Sequence, residues 1–188
     1  MKKFLKFGLR ECMASLIGIG LFVVMTEAQI PFPGLRTAFQ PRMVILAMLS
    51  ATYGPIVGTL VGIFGHALGD ALYYGAIWWS WALPEAVVGI GIGSFAHRFQ
   101  VLDGSFRGKN LLIFNIAQLV ANAIAWLDLA PFLDIIFYGE DRAKIFRAQG
   151  PLAFMSNASI IAIAGTILLY IFSRWAGGSK LLRPDEWT

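Results

Sequence analysis

IVGTLVGIFGHALGDALYY, Ile56–Tyr74, decides the reading of this chain: an uninterrupted apolar run, long enough for a bilayer, whose only ionisable side chains short of its tyrosines are His66 and Asp70. A membrane-spanning helix takes roughly 17–25 mostly apolar residues. Gly54-Pro55 before it and Gly75 after it fit a helix that starts and stops sharply. Runs of this kind recur along the 188 residues, of which 57% are hydrophobic and 14% charged. Mean hydropathy is +0.68, well outside the range of soluble domains. The expectation is an all-α, polytopic membrane protein in the cell membrane, a single domain of about six helices in contact with lipid, with no soluble domain left over.

Working outward, the spacing predicts helices at about 10–28, 38–53, 56–74, 82–99, 111–130 and 151–175. Ile30-Pro31-Phe32-Pro33-Gly34 closes the first, and Pro131 closes the fifth. Helix 4 is expected to carry Pro84 and Glu85 in its opening turns, where an acid suits the helix dipole. The segment 132–149 alternates apolar and charged residues and reads as an interfacial helix. The basic start MKKFLKFGLR resembles a signal peptide, but the apolar run after it continues to about Ala28 without a small-x-small cleavage site, so it reads as a retained first helix.

Six crossings put both termini on one side. Lys2, Lys3, Lys6, Arg10, Arg98, Arg107, Lys109, Arg174, Lys180 and Arg183 outnumber Arg36, Arg42, Arg142, Lys144 and Arg147 on the other side. By the positive-inside rule the termini are cytoplasmic. The net charge of +4 is scattered rather than gathered in a patch with interleaved aromatics, which argues against nucleic acid. The single cysteine, Cys12, excludes an internal disulfide and a paired-cysteine zinc site.

Chemical motifs are few. GSFRGKN, Gly104–Asn110, has three residues between its glycines and Asn110 after the lysine, so it lacks the spacing of a phosphate-binding loop. The chain therefore carries no ATPase motif of its own. Ser94 and His97 sit near one another at a helix end with no third group to orient the histidine, which argues against an intramembrane hydrolase.

His66 and Asp70 are different. Spaced i and i+4, they share one face of helix 3, in its outer half. Ionisable groups cost roughly 2.5–3.5 kcal/mol each inside a bilayer and are kept where they face a cavity or one another. One reading is a pair that only cements helices. The other is a ligand site, favoured by amides at similar depth: Gln118 and Asn122, in a stripe with Asn115 and Trp126 on helix 5, and Asn157 on helix 6. Trp78, Trp79 and Trp81, with Trp126, would wall such a site for a small heteroaromatic ring, although interfacial tryptophans are also common. Gly58, Gly62, Gly65 and Gly69 mark close helix packing, as do Ala14 and Gly18 on helix 1.

The pieces GPIVGxxxGxxGHALxD (Gly54–Asp70) and YGxxWWSW (Tyr74–Trp81), in this order and followed by NIAQLVANAIAWLDLAPFLDIIFYGE (Asn115–Glu140), resemble the substrate-binding S components of energy-coupling factor (ECF) transporters, the riboflavin type in particular. The resemblance covers nearly the whole chain. It implies a subunit that captures a water-soluble vitamin or precursor from outside, riboflavin or a pyrimidine such as hydroxymethylpyrimidine, and delivers it inward with a transmembrane T subunit and two cytoplasmic ATPases that use the ATP. This chain would need no cofactor of its own and would not be an enzyme. The resemblance further implies that Gln29–Gln40 form a lid and that Ala14 and Gly18 face the T subunit. The start Met-Lys-Lys lacks the Met-His of metal-specific members, so no metal role is implied. The reading set against it is an autonomous secondary transporter in which His66 and Asp70 relay protons.

Overall fold

The computed structural model describes residues 7–35 and 38–178. Lys2, Lys3, Lys6, Arg36, Lys180 and Arg183, used above to orient the chain, lie outside the described residues. Helices dominate: α1 (Leu9–Val24), α2 (Arg42–Tyr53), α3 (Pro55–Tyr74), α4 (Trp79–Gly93), the short α5 (Ala96–Phe99), and two long helices, α6 (Lys109–Tyr138) and α7 (Arg142–Gly178). Between α1 and α2, β1 (Ile30–Pro31) pairs antiparallel with β2 (Ala38–Phe39). Among the described residues α3, α6 and α7 are long and apolar enough to cross a membrane. With 16, 12 and 15 residues, α1, α2 and α4 are shorter, about 24, 18 and 23 Å at 1.5 Å per residue.

Turn chemistry explains the sharp corners. Gly54 at φ 97° starts α3 with Pro55 in its first turn, and Gly75 at φ 73° ends it. Gly139 at φ 64° closes α6, and Asp141 then caps α7 by accepting the Lys144 N–H at 2.7 Å.

Several boundaries differ from those the sequence predicts: α1 ends at Val24 rather than Ala28, and Ala38–Phe39 pair as β2, so that α2 starts only at Arg42. Pro131 does not end the fifth helix, and the stretch 132–149 is not a separate interfacial helix: it forms the last turns of α6, the corner at Gly139, and the first turns of α7. The reason lies in two π-helical turns, Ile124–Leu129 and Ile145–Gln149, each running up to just before a proline, Pro131 and Pro151. A wider turn shifts the hydrogen-bond register where the proline supplies no N–H, so the helix continues. Likewise α4 starts earlier than expected, at Trp79, which moves Glu85 from the opening turns to the second turn, fully buried beside the interior Pro84.

The centre of the bundle is α3, which packs on α1, α2 and α4. Its glycines serve three neighbours. A Cβ on Gly58 or Gly62 would stand within 3 Å of α4 backbone at Gly89 and Glu85, one on Gly58 would also meet Ser50 of α2, and one on Gly65 or Gly69 would meet Phe22 on α1 or Thr26 just after it. Close backbone approach is what such spacing permits.

The same geometry bears on Ala14 and Gly18. Both are buried on α1, and a Cβ on Gly18 would lie 2.3 Å from Leu49 and 2.8 Å from Val61. The stripe therefore faces α2 and α3, because the small residues are consumed by internal packing; the exposed face of α1 carries Met13, Leu16, Ile17 and Leu21. Gly18→Leu is expected to destabilise the ligand-free protein by about 1–3 kcal/mol through overpacking. A thermal midpoint in detergent equal to that of the parent would show instead that the stripe faces outward.

Candidate functional site

At the end of the bundle that holds Val24, Arg42, Tyr74 and Trp79, a cavity of about 480 Å³ opens among α2, α3, the start of α4 and the β1–β2 segment. It is lined by Gln29, Gln40, Arg42, His66, Asp70, Tyr74, Ala76, Trp78 and Trp81.

The floor is a chain of buried charged and polar groups contributed by four segments. Asp70 Oδ2 lies 3.2 Å from His66 Nε2, and His66 Nδ1 lies 2.9 Å from Glu85 Oε2. Glu85 Oε1 is 3.4 Å from Arg42 Nη2, which also lies 3.2 Å from His66 Nδ1. Arg42 Nη1 donates to Thr26 Oγ1 at 2.9 Å, and the guanidinium sits 4.8 Å from the centre of the Phe22 ring. Helical spacing explains the alignment: His66 and Asp70 are one turn apart on α3, while Arg42 and Glu85 come from the ends of α2 and α4 that point to the same side. Such groups persist in a low-dielectric interior when they are paired and hydrogen-bonded. The formal charges of Arg42 and Glu85 cancel, which leaves the Asp70 carboxylate on the cavity with His66 behind it.

Asp70 has a second task. Its Oδ2 also accepts the backbone N–H of Trp78 at 2.9 Å, so the turn after α3 is tied to α3 itself. Oδ1 makes no hydrogen bond with the described residues, on a side chain that lines the cavity. Gln40 Oε1 and Arg42 Nε are buried without a hydrogen-bond partner among the described residues. Buried polar groups are rarely left this way, and both belong to residues of the cavity wall.

The remaining walls are aromatic. Trp81 is buried and stacks obliquely on Trp126, centroids 5.3 Å apart. Trp78 lies 4.9 Å from Tyr138. Gln29 donates to the Tyr74 hydroxyl, which fastens the start of the segment leading to β1 over α3.

The predicted site residues therefore divide into groups. His66, Asp70 and Trp78 meet at the cavity, with Trp81. Gln118, Asn122 and Trp126 meet one another instead: Trp126 Nε1 donates to Asn122 Oδ1 at 3.0 Å, Asn122 Nδ2 to Gln118 Oε1 at 3.2 Å, and Gln118 Nε2 to the Ala158 carbonyl at 3.3 Å. They satisfy their own polarity behind the Trp81 wall, which is why they do not line the cavity. Asn157 is buried with both amide atoms unpartnered among the described residues, and it too is absent from the lining. Trp79 turns away, 43% exposed beside Leu83, Phe137 and Tyr138. Ser94 donates its hydroxyl to the Ile90 carbonyl of its own helix, and its backbone, not its hydroxyl, meets His97. His97, beyond the end of α4, is held below the usual imidazole range by partial burial and by the neighbouring Arg98 cation. Among the described residues no three His, Cys, Asp or Glu side chains gather in a way that could hold a metal ion.

Sequence reasoning missed Arg42 and Glu85. Both were read as helix-end charges, Arg42 on the outer face and Glu85 favouring a dipole, yet they are 2% and 0% exposed. The available signal was depth: the first turn of α2 and the second turn of α4 stand level with His66.

The sequence model of the family described as "ECF-type riboflavin transporter, S component" matches residues 6–174. The "UPF0397 protein" of Streptococcus gordonii (strain Challis) is 39% identical over 179 residues, covering 95% of this chain and 96% of the relative. That of Streptococcus pneumoniae (strain Hungary19A-6) is 41% identical over 181 residues, covering 96% and 99%. No solved structure matches.

Proposed function

The chain belongs to the family of ECF-type riboflavin transporter S components, and we propose that its cavity captures a water-soluble vitamin or vitamin precursor, riboflavin or a pyrimidine such as hydroxymethylpyrimidine, from outside the cell. Membership makes it a transporter subunit rather than an enzyme, and implies a T subunit and ATPases as partners. In this reading six helices cross the cell membrane with cytoplasmic termini, the cavity opens outward, and the ligand passes inward when the subunit is docked on its T subunit. The ATP is used by the two ATPase subunits.

One observation carries the proposal: Asp70, whose Oδ1 has no hydrogen-bond partner among the described residues, lines a cavity together with the indoles of Trp78 and Trp81. Flat apolar walls with a few directed polar groups are what a small heteroaromatic ligand requires. His66 holds the carboxylate in place from behind, so the ligand meets a fixed acceptor.

Asp70→Asn is expected to weaken binding of the native ligand at least about tenfold, the loss of a charge-assisted contact. The ligand is first identified by mass spectrometry of what copurifies with the protein, and calorimetry then compares the two proteins. An unchanged affinity would remove Asp70 from the site.

The proton-coupled reading draws on the continuous Asp70–His66–Glu85 chain. That chain ends at Arg42 and Thr26, level with its own start, and provides no route along the helices toward the Tyr53 end. Ligand accumulation by this chain alone in liposomes under a pH gradient would favour it over the S-component mechanism.

A further inference from the structure

The two indoles that wall the cavity are held from outside it by one face of one helix. Asp134, in the last turns of α6 and 2% exposed, accepts the Trp81 indole N–H on both carboxylate oxygens, at 3.1 and 3.2 Å, and also accepts the Ser80 hydroxyl. One turn further on, the Tyr138 hydroxyl accepts the Trp79 backbone N–H at 3.1 Å while its ring packs against Trp78 at 4.9 Å. Residues i and i+4 share a helix face.

A buried carboxylate is costly unless its lone pairs are used, and an apolar side chain would have filled the same space at lower cost. Here the carboxylate is aimed at the one polar atom of an indole that lines the cavity. On its other side Trp81 is backed by Trp126, whose own N–H is anchored on Asn122. Rotation of either ring would leave an indole N–H without an acceptor.

We propose that Asp134 and Tyr138 are positioning residues of the ligand cavity: by gripping Trp81 and Trp78 they make α6, rather than α4 alone, set the placement of the aromatic walls. The inference rests on the cavity being the ligand site. It assigns selectivity for flat ligands to two residues that need not touch the ligand.

The test uses full-length protein in lipid nanodiscs with its tryptophans replaced by 5-fluorotryptophan, the Trp78 and Trp81 fluorine lines being assigned from Trp78→Phe and Trp81→Phe. In ligand-free protein, Asp134→Asn is expected to move the Trp81 line and Tyr138→Phe the Trp78 line. Both changes are conservative, so folding is retained where Asp134→Ala fails to fold. Riboflavin and hydroxymethylpyrimidine are then titrated separately. Each variant is expected to weaken the probe that binds by about five- to tenfold, the net worth of a hydrogen bond. Fluorine lines that do not move, or that move while affinity stays at the parent value, overturn the proposal. If neither probe shifts the Trp78 or Trp81 line of the parent, the cavity reading falls and the proposal with it. That failure is separable, because the ligand-free spectra still report whether α6 grips the indoles.

Discussion

Arg42→Met is expected to destabilise the protein by about 3–5 kcal/mol, the cost of removing one partner from a buried ion pair. The methionine fills similar space, but Glu85, fully buried, loses its guanidinium, and Thr26 loses the donor that ties α1 to α2. The double variant Arg42→Met/Glu85→Gln is expected to recover much of the loss, because no uncompensated charge remains. Thermal midpoints of the ligand-free protein in detergent, measured for both singles and the double, check this. A single variant as stable as its parent would mean that the pair is not buried as described.

Gly89→Val is expected to have a comparable effect by a different route. A Cβ there would stand 2.5 Å from the carbonyl carbon and oxygen of Gly58, with backbone on both sides, so no side chain can rotate away. The helices α3 and α4 must separate, at a cost of about 3 kcal/mol, toward the upper end for overpacking. One turn along the same crossing, Gly62 lies on the backbone of Glu85, so the separation also draws Glu85 away from Arg42 and His66. Ligand affinity and stability are therefore expected to fall together, read by calorimetry and thermal unfolding of the same preparation. Loss of stability with affinity intact would show that the crossing and the charged chain are mechanically independent.

The helix Ile56–Tyr74 was legible because a long apolar run with two ionisable residues has few other stable solutions. The glycines on it were legible as packing. What they packed against was not, since spacing alone does not say that Gly58 and Gly62 serve α4 while Gly65 and Gly69 serve α1. Proline misled at position 131 because the rule that it ends a helix assumes α register up to that point.

At the cavity, His66, Asp70 and Trp78 were legible as neighbours because charge and aromatic clusters stand out in an apolar chain. Arg42 and Glu85 stayed hidden because a charge near a helix end has an ordinary explanation, and only the arrangement of four segments reveals that each is buried. Gln118 and Asn122 were correctly seen as needing partners, but hydropathy does not distinguish amides that await a ligand from amides that serve each other.

The π-helical turn at Ile124–Leu129 has a meaning in terms of chain length. At 3.6 residues per turn, one residue more or fewer rotates everything beyond it by about 100°. Asp134 and Tyr138 lie beyond it, and Asn122 lies before it. The turn thus acts as a phase adjustment between two halves of one helix, letting the first half bring Gln118 toward Ala158 of α7 while the second brings Asp134 and Tyr138 to the tryptophans at the start of α4. A relative whose fifth helix is one residue shorter at this point would keep the same hydropathy profile and present a different face to its ligand wall, so alignment gaps here matter more than substitutions.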